Sequence, residues 1–495
     1  MPKTIEDKYF YPIIIILISY IIFRLIDQAK IMTIFPFDYA NDASCFMTLL
    51  HFLAKYGFHN IAPEWYGGLV VLKFYSPGWF FFTLPLYWIT KNVQIASYIS
   101  MIVLYLLSAI FIAIIGKYLQ WSIIKRIAFF ALFFGNPISI GNFIRLGSYP
   151  HFFAWVFFIP FLGIILWYIN HKIDNKFYLL FIPIFAIMIL SHPQETLLAG
   201  IMLASFVLIS KEKIKILISS IITVILTSFW WYPFLKDYSQ STIYEYALTS
   251  ESLSFRSEWA WTNIAAVIIS IALIFLFYIY WKSTEQNYKT KFFFLPVILM
   301  AVLLITKLVI FIPYLNQVYV DSFLLLFLMC IIYFLFNIDV NRINRLMKYG
   351  ILGILIIFPV VSVTLSHIHT PYFKENSPLA KDIMLLLPQI KGTYLFLGVP
   401  PKDAYLRAFY SYGAIYLNLS TANGWTTHEV SIEKQELLVA AADTFNNNNC
   451  TGLLNVLKKL NVTEIVSYKE SCTNLQKCGL KAKGKRNDTC LLTTA

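Results

Sequence analysis

The chain has 495 residues, of which 59% are hydrophobic, 18% aromatic and only 13% charged. With a mean hydropathy of +0.67 it lies well beyond the roughly 45–50% apolar usage of soluble domains, which excludes a soluble globular enzyme and points to a polytopic α-helical membrane protein. The formal charge of +13 does not indicate a nucleic-acid partner. No basic tract interleaved with aromatics accompanies it, and membrane chains collect Lys and Arg in their cytoplasmic loops.

The first apolar run covers residues 11–23, and others follow at 96–115, 216–231 and 351–365. Such runs approach or reach the roughly 20 residues that cross hydrocarbon. They are continuous rather than alternating, the pattern of helices and not of a barrel. The first is expected to stay as a span: Arg24, Asp27 and Lys30 follow it without a small-residue cleavage site.

Residues 29–94 form a polar interruption that is expected to be a large first external loop. It carries Asp38 and Asp42, then His51, Lys55 and His59, then Trp65-Tyr66-Gly67-Gly68 and Phe74-Tyr75-Ser76-Pro77. The apolar stretch 78–89 within it is read as interfacial or re-entrant, because a crossing there would turn Lys117, Lys125 and Arg126 outward. The short basic loops 117–126, 171–176, 211–215, 282–291 and 342–348 then all lie on the side of the N-terminus. This gives about 11 transmembrane helices by the usual length criterion, with the N-terminus in, the C-terminus out and the cell membrane as location.

Hydrophobicity drops after residue 366, so a membrane domain 1–366 and a small soluble extracytoplasmic α/β domain 367–495 are expected. In the latter, 393–398 and 464–468 read as strands, and 379–387, 432–445 and 452–460 as helices. Asn418, Asn449, Asn461 and Asn487 stand in glycosylation sequons, which the loops assigned to the cytoplasm lack. Cys450, Cys472, Cys478 and Cys490 are expected to make two disulfides in an external compartment, with three pairings open. A zinc site from these four is disfavoured because no Cys-x-x-Cys pair occurs.

Sorted by expected side, Asp38, Asp42, Asn142, Arg145, Tyr149, His151, His192, Glu195 and Asp237 collect at the outer ends of spans. Ionisable groups at a membrane edge are costly, which makes them functional candidates. Asp38 and Asp42 are four residues apart, so on a helix they share a face, where one raises the other's pKa or both hold a divalent cation. Either carboxylate suits a general base acting on an acceptor hydroxyl. Arg145 and His192, with Tyr149, His151, Glu195 and His51, are candidates for a lipid phosphate: guanidinium offers a bidentate fork and imidazole a titratable donor. Asp42 also precedes the apolar-periodic stretch 43–53, so a purely structural N-cap role stands beside the catalytic one. Trp65, Tyr66 and Trp79 are expected as interface-belt aromatics.

Asp42-Ala43-Ser44-Cys45-Phe46, Trp65-Tyr66-Gly67-Gly68 and Phe74-Tyr75-Ser76-Pro77 resemble the first external loop of the pyruvoyl-tetrahydropterin-synthase-related membrane proteins, which look like members of the C-type glycosyltransferase superfamily. Arg145-Leu146-Gly147-Ser148-Tyr149-Pro150 and Leu190-Ser191-His192-Pro193 continue the match. The resemblance implies a polyprenyl-phosphate-linked sugar as donor, a glycan, lipid or protein acceptor, membrane lipids as surroundings, Asp42 as the primary carboxylate and Asp38 as its helper. It also implies phosphate-side roles for Arg145 and His192. His151 departs from the pattern, standing where an acidic residue is expected after Tyr149-Pro150. Trp230-Trp231 is followed by Tyr232 and not Asp, so the Trp-Trp-Asp motif of oligosaccharyltransferases is absent. A lipid or glycolipid transporter, or a non-catalytic assembly factor on the same scaffold, is the alternative reading.

Overall fold

The computed structural model describes all residues except 1–4, 38, 40, 238–246, 258–259, 285–287, 371, 375, 400–404, 426–429 and 495. The membrane part starts with α1 (Tyr11–Gln28), α2 (Ala43–Tyr56), the two-residue hairpin strands β1 (Ile61–Ala62) and β2 (Leu69–Val70), α3 (Gly78–Thr90), α4 (Val93–Tyr118) and α5 (Ile123–Phe134). The short α6 (Pro137–Ser139) runs on into a π-helical turn, Ile140–Arg145. Then come α7 (Tyr149–Tyr168), α8 (Asn175–Ser191), α9 (Pro193–Ile209), α10 (Lys213–Leu226), α11 (Ser228–Lys236), α12 (Ala260–Ser283), α13 (Tyr288–Phe293), α14 (Leu295–Ile305), α15 (Val320–Asn337) and α16 (Arg345–His369).

Among the described residues seven helices are long and apolar enough to cross a membrane. Two further segments qualify as bent pairs, α5 with the turn Pro137–Arg145 at 56° and α10 with α11 at 72°, and α8 and α9 are shorter apolar helices. The candidates among the described residues number seven, or up to nine if each bent pair is one span, against the expected count of about 11. The 13-residue α3 is not among the crossing candidates. The bend after α5 and the break between α8 and α9 have local causes. Pro137 and Pro193 each force the preceding residue, Asn136 or His192, into an extended conformation, which ends one helix and starts the next. Asn92, Ser122 and Asp174 start α4, α5 and α8 by accepting backbone N–H groups of the first turn.

The C-terminal part holds α17 (Pro378–Leu386), β3 (Tyr394–Phe396), α18 (Leu406–Tyr416), α19 (Ile432–Asn446), α20 (Cys450–Lys459), β4 (Glu464–Tyr468), α21 (Glu470–Lys477), β5 (Lys481–Arg486) and β6 (Thr489–Thr493). The strands form one mixed sheet in the order β3-β4-β6-β5, parallel between β3 and β4 and antiparallel thereafter. Side chains alternate across it. Phe396, Val466 and Leu491 pack with Ile383 and Tyr410 on one face, while Leu395, Ile465 and Leu492 pack with Leu453 and Leu457 on the other. Two disulfides, Cys450–Cys478 and Cys472–Cys490, staple the second face; they select one of the three pairings left open by the sequence. The strands β5 and β6 and the helices α18 and α21 were not expected from the sequence.

Candidate active site

Four helices begin at the end of the bundle that carries the C-terminal domain: α2, α7, α9 and α15. The backbone N–H groups of Asp42 and Ala43 both donate to the Leu146 carbonyl, at 2.7 and 3.3 Å, tying the start of α2 to the turn before α7. Gly147 makes this possible. Its φ of +69° suits glycine, and an added Cβ would stand 2.6 Å from the Ala43 Cβ.

Asp42 is not the cap of α2. The Asn41 side chain takes that task, accepting the Ser44 N–H at 3.0 Å and the Ser44 hydroxyl at 2.9 Å, and Asp42 makes no side-chain capping bond. The structural alternative for Asp42 is thereby removed, and its carboxylate turns instead to Ser148. Burial pushes that carboxyl up to about 6, against the opposing pull of the Ser148 hydrogen bond and of the charges of His151 and Arg407. The residue as a whole is half-buried.

Behind Asp42 lies a polar cluster built from the first turns of α7, α9 and α15. Nε2 of His151 lies 2.9 Å from Oε1 of the fully buried Glu195. Nδ1 of His192 stands 2.6 Å from Oε2 of the same carboxylate, without the angle of a directed hydrogen bond. Ser322 donates to Glu195 Oε1 at 2.8 Å and also meets His151 Nε2 at 3.2 Å. Trp155 Nε1 donates to the same His151 nitrogen at 3.0 Å. Protonated, that nitrogen serves the carboxylate; unprotonated, it accepts from the indole, so one proton decides which neighbour the ring binds. Asn142 donates to Asp321 at 2.9 Å, joining the π turn to α15.

Arg145 is not part of this cluster. Its guanidinium lies over the Tyr39 ring, 3.3 Å from the centroid, where burial raises the phenol to about 12. Arg24, which sequence reasoning passed over, is 1% exposed and bonds Thr370 through its carbonyl and hydroxyl, both at 2.8 Å. Its charge and that of Arg145 both act on Tyr39. The expected phosphate residues thus divide into a His–Glu–His group beside Asp42 and an arginine group beside Tyr39.

Tyr149 is buried with its ring stacked on Trp79 at 4.9 Å, and its hydroxyl has no hydrogen-bond partner among the described residues. His51 is elsewhere: its Nδ1 meets the Tyr87 hydroxyl at 3.0 Å, nine residues along α2 from Asp42, about 13 Å away. Asp237 pairs with Lys73 at 2.7 Å. Asp38 lies outside the described residues. Trp65, Trp79 and Tyr66 are not belt aromatics but are buried at 0%, 0% and 3% exposure: Trp65 and Tyr66 under the C-terminal domain, and Trp79, on α3, against Tyr149 and Phe46. The sequon residues Asn418, Asn449, Asn461 and Asn487 are all exposed. Asp321, Ser322 and Gln194 were missed; an acid directly at the start of the apolar run 320–337 was the signal available for the first of them. Among the described residues no group of three or more His, Cys, Asp or Glu is arranged to hold a metal ion. The two histidines face the Glu195 oxygens and not a common centre.

No protein-family model and no curated protein sequence matches the chain. Solved structures do. The archaeal oligosaccharyltransferase AglB from Archaeoglobus fulgidus, in complex with an inhibitory peptide and a dolichol-phosphate, is similar at a TM-score of 0.54 and 9% identity over 91% of this chain and 69% of its own. The arabinofuranosyltransferase AftD from Mycobacteria gives a TM-score of 0.60 at 11% identity over 99% of this chain, which spans only 40% of AftD. ArnT from Cupriavidus metallidurans bound to undecaprenyl phosphate gives 0.51 at 10% identity, covering 96% of this chain and 97% of ArnT. The chain accordingly shares its overall fold with these solved structures.

Proposed function

We propose that the protein is a membrane glycosyltransferase that moves a sugar from a polyprenyl-phosphate-linked donor to an acceptor hydroxyl at the external membrane face, with Asp42 as the general base. The observation that carries this reading is the Asp42 carboxylate itself, relieved of capping by Asn41 and held partly exposed where the first turns of four helices meet. A base with a pKa near 6 is half ionised just below neutrality and keeps appreciable proton affinity, the compromise that efficient proton abstraction needs.

The same convergence favours an anionic leaving group. Helix N-termini present unpaired N–H groups and the positive end of the helix dipole, and His151 and His192 stand among them on a shared carboxylate. A lipid phosphate leaving at this point gains stabilisation as its charge develops. The dolichol-phosphate bound to AglB and the undecaprenyl phosphate bound to ArnT support the same class of donor for this chain. Arg145 and Arg24, stacked and bonded on the side of α1, suit the more remote part of the headgroup.

The test is sugar transfer in proteoliposomes from a radiolabelled polyprenyl-phosphate sugar, wild type against Asp42→Asn. Transfer that depends on Asp42 supports the enzyme; flipping of the donor across the bilayer that survives the substitution, with no transfer, establishes the transporter reading in its place.

A further inference from the structure

The helix that Asp42 begins, α2, is fastened to the C-terminal domain before, along and after its length. Ahead of it, three aromatic residues of the segment 33–41 pack on that domain. The Phe35 ring lies 5.8 Å from Tyr416 and 6.2 Å from Tyr412 on α18, and Phe37 and Tyr39 both meet the Phe373 ring edge-on, at 5.3 and 5.6 Å. Phe35, Phe37 and Phe373 are all buried. Phe373 belongs to the connection between α16 and α17, which α1 holds in place: its N–H donates to the Asp27 carboxylate at 2.9 Å, close in sequence to the Arg24–Thr370 bonds. The Tyr416 hydroxyl bonds the Gln94 side chain, whose amide in turn donates to the Ile31 carbonyl at 2.6 Å.

Beyond α2, the hairpin is joined to the same domain through its backbone. Thr421 N–H donates to the Glu64 carbonyl at 2.8 Å, Thr421 bridges Trp65 in parallel, and a Cβ on Gly424 would stand 2.8 Å from the Tyr66 ring and 2.9 Å from Trp65. Lys55, in the last turn of α2, pairs with the buried Glu64 at 2.8 Å and also bonds Asn418. Along its length α2 packs against α18 more extensively than against α3 or α4. All of residues 43–50 are buried. A helix buried all round needs a cover on every side, and α18 supplies what the membrane helices leave open.

We propose that α2 and the C-terminal domain form one structural unit that delivers Asp42 to the site, with Phe373 and Gly424 as its positioning residues at the two ends of α2. The proposal rests on the reading of Asp42 as the base. The Leu146 carbonyl, which accepts the Asp42 and Ala43 N–H groups, is the point where this unit meets the turn before α7. His151 and His192 stand outside it, on α7 and at the start of α9. Loosening the unit therefore moves the base and leaves the donor-side groups in place. A misplaced catalytic group lowers the rate of the chemical step without weakening the binding made elsewhere.

The experiment uses the full chain in nanodiscs. Hydrogen exchange with mass spectrometry follows the amides of Asp42, Ala43 and Ser44, which donate to Leu146 and Asn41, in wild type, Phe373→Ala, Phe373→Leu and Gly424→Ala. The first variant removes the ring that Phe37 and Tyr39 share, and the last drives a methyl group into Tyr66 and Trp65. Both should speed exchange at the start of α2 by about tenfold, with peptides of α7, α9 and α15 unchanged, and Phe373→Leu should return most of the protection. In the transfer assay kcat should fall with the lost protection while KM for the lipid-linked donor holds. Wild-type exchange at the start of α2 in both Phe373→Ala and Gly424→Ala overturns the proposal, and so does an acceleration spread equally over α7, α9 and α15, which marks general destabilisation. Faster exchange confined to α2 in a protein whose wild type transfers no sugar leaves the unit standing and removes the glycosyltransferase reading, so the two failures are distinguishable.

Discussion

Replacing Asp42 by Asn removes one ionisable proton site and keeps the side chain's shape. A positioned general base contributes about 10²–10⁴-fold to rate, so transfer should fall by at least about 100-fold. Stability should move the other way. Burial holds the Asp42 carboxyl up at about 6, above its ordinary value of 3.8. A group whose folded pKa is raised contributes stability that is fully present below the unfolded pKa and is lost as pH rises through the folded one. At pH 7.5 the charged carboxylate therefore opposes folding, and a neutral amide relieves that cost, so the Tm of Asp42→Asn should equal or exceed that of wild type. Asn41→Ala is the control: it removes the cap of α2 and should cost about 1 kcal/mol. In wild type, kcat/KM should rise about tenfold per pH unit up to about 6 and then level off, because the base must be unprotonated. A carboxylate with an ordinary pKa would give a flat profile down to about 4. The assays are transfer of radiolabelled sugar in proteoliposomes and detergent-solubilised thermal melts. Full transfer by Asp42→Asn refutes the base assignment, and loss of transfer together with a collapsed Tm shows that the residue serves the fold.

Glu195→Gln should destabilise the protein by about 1–3 kcal/mol, the cost of leaving buried polar partners imperfectly satisfied, since Glu195 is fully buried between His151 and His192 and accepts from Ser322; melts at pH 7 measure it. Gly147→Ala places a Cβ 2.6 Å from Ala43 at φ +69° and should cost more than about 1 kcal/mol, with transfer falling further than Tm because the displaced strand of chain carries Asp42. Reduction of the disulfides, which close segments of 28 and 18 residues, should lower stability by about 3–4 kcal/mol each, seen as a lower melting transition of the C-terminal domain in dithiothreitol.

Composition and periodicity alone determine that the chain is a helical membrane protein with a small C-terminal α/β part, because the hydrophobic effect writes its demands over whole segments: roughly 20-residue spans and alternating strands are properties of a run and not of a partner. Strands 394–396 and 464–468 were legible this way, whereas β5, Lys481–Arg486, was not. It is an edge strand exposed along most of its length, so nothing in it needed to alternate. Asp42, His151, His192 and Glu195 could be singled out as polar residues at the edges of apolar runs. Their arrangement could not, since it depends on contacts between residues far apart in the chain. Only the tertiary structure decided that Asn41 caps α2, that Glu195 draws His151 and His192 together, and that Arg145 turns away to Tyr39.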